Sequence, residues 1–180
     1  MKKLLLICLL LVCISINAFA GEKYISVSYF AFNGDDTNSK NNLPMAAIEA
    51  GYAFNKYLET GIELASFKYK SDWGSSFRDI SLITTIKLKY PWHRFTPYLV
   101  AGIGNRRFTA VHMIGYGGAP AERISAKQSI ALKYGLGVEY YLQKNCCVFA
   151  ESTYRYGDTG RQATLDDWGW SWGGGLKYYF

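Results

Sequence analysis

Residues Asp167 to Phe180, reading DWGWSWGGGLKYYF, limit the possible folds more than any other stretch of the chain. Read with period two, they put Trp168, Trp170, Trp172, Gly174, Leu176, Tyr178 and Phe180 on one face. Gly169, Ser171, Gly173, Gly175, Lys177 and Tyr179 fall on the other. Alternation of this kind belongs to a strand. In a water-soluble sandwich a second layer would have to cover the apolar face. Left uncovered, an edge bearing three tryptophans invites aggregation unless the sheet closes on itself. Aromatic residues at both ends of an outward apolar face suit a strand whose outside meets lipid. The expectation is a strand that closes a barrel by pairing with the first one.

The N-terminus reads as a secretory signal. Lys2 and Lys3 precede an apolar run from Leu4 to about Ile16, and Ala18-Phe19-Ala20 offers a small-x-small cleavage site before Gly21. Residues 1–20 are thus expected to be signal peptide, and 21–180 a single domain. No later stretch approaches the roughly 18 consecutive apolar residues of a spanning helix. A chain of this kind crosses a membrane only as a closed barrel, because lipid offers its backbone no hydrogen bonds. Cys8 and Cys13 leave with the signal. Cys146 and Cys147, adjacent in sequence, make no disulfide framework.

Eight strands follow from alternation and turn residues. They are expected at Tyr24–Phe32, Met45–Phe54, Tyr57–Lys68, Phe77–Tyr90, Thr96–Arg106, Ser129–Leu142, Cys147–Tyr156 and the C-terminal stretch. Ala46, Ile48, Ala50, Tyr52 and Phe54 share one face of the second, and Leu58, Thr60, Ile62 and Leu64 the outside of the third. Facing on the fifth strand is open, since both alternate sets are small or apolar. Connections alternate long and short. Asn55-Lys56, Pro91-Trp92-His93-Arg94 and Gln143-Lys144-Asn145 are the short ones, and Arg107 to about Lys127 is the longest. An outer-membrane barrel sorts its connections in this way, with short turns in the periplasm and long loops outside the cell.

The segments TPYLVAGIGNRRF, GLGVEYYL, FAESTYRYG and GGGLKYYF resemble the small outer-membrane β-barrel family. That family includes the transmembrane domain of outer-membrane protein A, outer-membrane protein X and the opacity-type surface antigens. The resemblance covers the chain after Gly21. It implies an all-β, eight-stranded antiparallel up-and-down transmembrane barrel in the bacterial outer membrane, monomeric and non-enzymatic, displaying surface loops. It also implies a C-terminal signal read by the barrel-insertion machinery, matched by Gly175, Tyr178 and Phe180. Gly173 stands where that signal carries a polar residue.

The inward alternate sets hold Glu49, Glu59, Glu63, Asp79, Glu139 and Glu151 against Lys87, Lys89, Lys133, Arg155 and Lys177. Eight strands leave room for little beyond side chains, and charges so confined must pair or keep water. A plug of ion pairs is the preferred reading, and a narrow conduit for small solutes or apolar molecules the alternative. Outside, Lys40, Arg107, Arg123, Lys127 and Arg161, with Lys70 and Arg106 near the rim, either meet lipopolysaccharide phosphates or are ordinary solvated loop charge. The loops could also take host or extracellular ligands. Scattered bases give no nucleic-acid footprint. No residue constellation suggests a metal, a cofactor or a catalytic centre. His112 lies in a loop and His93 in a turn, without the His and Ser two residues apart that lipid A deacylases carry, so a lipid A-modifying enzyme is the least favoured reading.

Overall fold

The computed structural model describes residues 21–34, 43–70, 76–114, 121–157 and 168–180. They form eight antiparallel strands: β1 Glu22–Gly34, β2 Leu43–Asn55, β3 Leu58–Lys70, β4 Ser76–Lys89, β5 Phe95–Ile114, β6 Ala121–Gln143, β7 Cys146–Gly157 and β8 Trp168–Tyr179. Each pairs with its sequence neighbours, and β8 returns to β1 from Tyr24↔Tyr179 to Gly34↔Gly169. The sheet is therefore a closed up-and-down barrel with no free edge. No described helix is long and apolar enough to cross a membrane.

Alternation dictates the two surfaces. On β4, Leu82, Ile86 and Leu88 are exposed outside, while Asp79, Ser81, Ile83, Thr85, Lys87 and Lys89 are buried inside. On β8, Trp170, Trp172, Leu176 and Tyr178 are exposed, as is Phe180 just past it, and Ser171, Lys177 and Tyr179 are buried. A soluble core reverses this order; here apolar residues cover the outside and charges fill the inside. Tyr52 keeps its outward register but is buried, its hydroxyl accepting a hydrogen bond from the Gly21 amide at 2.8 Å.

Two expectations need correction. The segment from Arg107 to Lys127 is mostly strand: β5 and β6 stay paired out to Ile114↔Ala121, leaving only residues 115–120 between them. Backbone pairing, once begun, needs no amphipathic pattern to continue, and Thr109, Val111, Ile114 and Ile124 favour it. His112 accordingly lies on β5 in register with Arg123 rather than in a loop. The expected loop residues Lys40 and Arg161 lie outside the described residues.

Strand β5 also resolves its facing. Thr96, Tyr98, Val100 and Phe108 are buried inside, whereas Leu99 and Ile103 are exposed. Two β-bulges, between Ala53 and Asn55 and between Tyr141 and Gln143, sit where strands enter the short turns. At Trp92-His93-Arg94-Phe95, two hydrogen bonds between Trp92 and Phe95 close a tight turn, and His93 takes φ of 57°.

Candidate functional site

The inward faces bring the eleven expected charged residues into one barrel interior, and a twelfth with them. Nearest the short turns, Glu59 and Glu139 face Lys89 and Lys177. Lys89 Nζ lies 2.5 Å from Glu59 and 2.6 Å from Glu139. Lys177 Nζ lies 2.8 Å from Glu59 and also pairs with Glu139. The Tyr179 hydroxyl donates to Glu59 at 2.6 Å, and Lys89 donates to the Tyr141 and Tyr179 hydroxyls at 3.1 and 3.0 Å. Glu59 is on β3 and Lys177 on β8, so these contacts tie distant strands of the wall together.

Further along, Glu49 and Glu63 stand directly opposite on β2 and β3. Like charges placed there repel unless each has its own counter-ion. Each does. Lys87 reaches Glu49 at 2.5 Å, and the Thr85 and Tyr24 hydroxyls donate to the same carboxylate at 2.6 and 3.1 Å. Lys133 and Arg155 reach Glu63 from β6 and β7 at 2.6 and 2.8 Å. Lys133 also meets Glu151 at 2.7 Å, and Glu151 accepts from the Tyr98 hydroxyl at 3.0 Å.

The last pair, Asp79 with Arg106, was not foreseen. Arg106 reads from sequence as a rim base, yet it points inward and pairs with Asp79 through its Nε. Among the described residues the interior therefore holds six acids and six bases, formally neutral. Sequence reasoning also missed the aromatic share of the filling. Phe30, Met45, Phe67 and Phe149 form a buried cluster with Ala47 and Ala65, and Tyr24 and Tyr179 pack around Cys147. The Lys87 ammonium lies 5.7, 5.6 and 6.0 Å from the Tyr24, Tyr98 and Phe149 ring centres. Such rings add cation–π attraction where water is excluded.

Small residues admit this filling. A Cβ at Gly61 would stand 2.5 Å from the Tyr24 hydroxyl and 2.7 Å from Glu49, so glycine is what lets them meet. About 30 Å³ remains beside Asp79 and Arg106, room for a water or two. A vestibule of about 450 Å³ opens at the short-turn end, floored by Glu59, Lys89, Tyr141 and Tyr179. Among the described residues no group of three His, Cys, Asp or Glu is arranged to hold a metal ion, and Cys146 and Cys147 are free thiols.

Of the other residues expected to matter, Gly175, Tyr178 and Phe180 lie at the end of β8, with Tyr178 and Phe180 exposed and their rings stacked 6.5 Å apart. Ala18 and Ala20 lie outside the described residues.

This architecture has solved relatives. The chain is similar to Neisserial surface protein A, at 19% identity and TM-score 0.66, covering 89% of this chain and 97% of that one. It is similar also to a major outer membrane protein from Thermus thermophilus, at 11% identity and TM-score 0.68, covering 89% and 100%. A third is Ail, the attachment invasion locus protein of Yersinia pestis, at 16% identity and TM-score 0.56, covering 89% and 97%. At such identities these share the fold. A search of curated proteins finds no match. The family model of the outer membrane protein beta-barrel domain matches residues 6–180. With a closed eight-stranded wall, an apolar outside and a charged inside, the chain belongs to this outer membrane protein β-barrel family and resides in the bacterial outer membrane.

Proposed function

We propose that the protein is a non-enzymatic surface barrel whose plugged interior holds the wall rigid while its long connections act outside the cell. The observation that carries this reading is the interior itself. Its charges pair with one another, several of them across the barrel from strand to distant strand, as in Arg155 with Glu63 and Lys177 with Glu59. Opening a water-filled path would break several buried ion pairs at once, each costing about 3–5 kcal/mol when one partner is stranded.

In this reading residues 1–20 are cleaved after Ala20. Gly175, Tyr178 and Phe180 present the barrel to the insertion machinery, and the chain works as a monomer among outer-membrane lipid and lipopolysaccharide. Structural, adhesive or antigenic roles fall to the loops. Two neighbours of the same fold lend support by their names, a surface protein and an attachment invasion locus protein; the latter was also crystallised with the heparin analogue sucrose octasulfate.

Planar-bilayer recording of the purified barrel tests the plug. No discrete openings are expected, and steady unit conductance would replace this reading with a narrow conduit. Lipid A mass spectrometry from cells with and without the protein tests the enzymatic alternative. Unchanged acylation is expected, and a lost or added acyl chain would overturn the non-enzymatic reading.

A further inference from the structure

The pairing inside the barrel changes where the chain's charge must be sought. After Gly21 the sequence carries 18 bases and 14 acids, once Lys2 and Lys3 are set aside. Setting aside the six acids and six bases of the interior network leaves twelve bases and eight acids in the rest of the sequence. By strand topology these divide unevenly. In sequence, the strand ends and connections on the long-loop side carry eight bases (Lys40, Lys68, Lys70, Arg78, Arg107, Arg123, Lys127, Arg161) and seven acids (Asp35, Asp36, Asp72, Glu122, Asp158, Asp166, Asp167). The short-turn end holds Lys23, Lys56, Arg94 and Lys144 against Glu22 alone. Three of the four net positive charges of these side chains thus belong to the end with the least chain.

These four bases are exposed and spread around the circumference. Lys23 is on β1, and each short turn supplies one of the others: Lys56 between β2 and β3, Arg94 between β4 and β5, Lys144 between β6 and β7. Directly beside them runs a belt of exposed aromatics, Tyr57, Tyr90, Trp92, Phe95, Tyr178 and Phe180. Such a belt marks the boundary between hydrocarbon and headgroups. One of the bases joins it directly: the Lys56 ammonium lies 5.0 Å above the Tyr57 ring.

We infer that the short-turn end is a basic collar that binds the phosphates of anionic phospholipids in the leaflet it faces. Lys and Arg at headgroup depth are suited to phosphate oxygens. A ring spaced around the barrel fits many small, mobile partners, each engaging one or two bases. A rigid polymer such as peptidoglycan would need a face, and these bases do not make one.

The test reconstitutes the barrel into phosphatidylcholine vesicles holding trace spin-labelled phosphatidylglycerol or, separately, spin-labelled phosphatidylcholine. The motionally restricted fraction of each label gives the relative affinity. Near-surface bases contribute roughly fivefold each. We expect phosphatidylglycerol to be preferred at least severalfold at low salt, with the preference falling toward one at about 0.5 M salt as charges are screened. The triple variant Lys56→Gln, Arg94→Gln, Lys144→Gln is expected to remove most of it, leaving at most the share of Lys23. A control at the opposite end, Lys68→Gln, Arg78→Gln, Arg107→Gln, should retain it. None of these side chains belongs to the interior network, and the salt series on the unaltered protein needs no variant to fold. The inference is overturned by equal affinity for the two lipids, by a preference that the control variant removes, or by collar-dependent sedimentation with purified peptidoglycan sacculi in the absence of lipid preference.

Discussion

Removing the Glu49 carboxylate should strand Lys87, and removing both charges together should restore much of what is lost. Lys87 lies 2.5 Å from Glu49, both are nearly inaccessible to water, and no other ion pair to Lys87 is seen among the described residues. At an effective dielectric of about 20, unit charges this close attract by about 6–7 kcal/mol, against a desolvation cost of several kcal/mol per ion. Glu49→Gln keeps the shape and the Thr85 and Tyr24 contacts but leaves an unpaired ammonium among Tyr24, Tyr98 and Phe149. Its cost should be about 3–5 kcal/mol, as should that of Lys87→Met, which strands the carboxylate. The double variant should cost no more than about 2 kcal/mol, giving a coupling of at least 3 kcal/mol. Reversible urea unfolding from lipid vesicles, followed by the fluorescence of the lipid-facing Trp170 and Trp172, measures all four corners. Additive losses, with coupling below about 1 kcal/mol, would show that water or other groups solvate these charges and that the plug is not held by its pairs.

Gly61→Ala should cost about 1–3 kcal/mol in the same assay, because its methyl enters the space where Tyr24 meets Glu49. His93→Gly should stabilise the barrel by about 1 kcal/mol, since φ of 57° strains a residue with a Cβ; a lower urea midpoint would refute that account. Leu136→Arg on the mid-strand outer face should cost about 2–4 kcal/mol, and Leu142→Arg, near the aromatic belt, at most about 1 kcal/mol. Equal costs at the two positions would mean that this face does not lie across lipid.

Wherever one face is apolar and the other polar, the strands are legible from sequence. On β4 and β8 each residue declares its side, and a one-residue slip would put lysines into lipid. The closing pair is legible for the same reason: an uncovered tryptophan-bearing strand needs an edge partner, and β1 supplies it. Strand ends are a different matter. The outer halves of β5 and β6 carry polar and apolar residues on both alternate sets, so nothing in the pattern distinguishes a paired ribbon from a loop. Pairing there is a backbone property, carried outward from a hairpin whose lower half is fixed by the barrel.

Arg106 shows what a fuller use of the sequence could have yielded. Tyr98, Val100, Gly102 and Gly104 alternate with Leu99, Ala101, Ile103 and Asn105, and neither set looks like an interior. The tight turn carries the missing information. With Trp92 and Phe95 closing it, Lys89 must stand across from Tyr98, and a lysine bound for the interior takes Tyr98 with it. Every second residue from Tyr98 then faces inward, which leads through Gly102 and Gly104 to Arg106 and Phe108. The charge count points the same way. Six acids against five bases leave one carboxylate without a partner in a space too narrow to hydrate it freely, so a sixth base has to come from the strand whose facing was open. Asp79, far along β4 from the other acids, is the carboxylate it meets. Electroneutrality of a closed interior is thus a constraint on register, and it reads the one strand that hydrophobic alternation cannot.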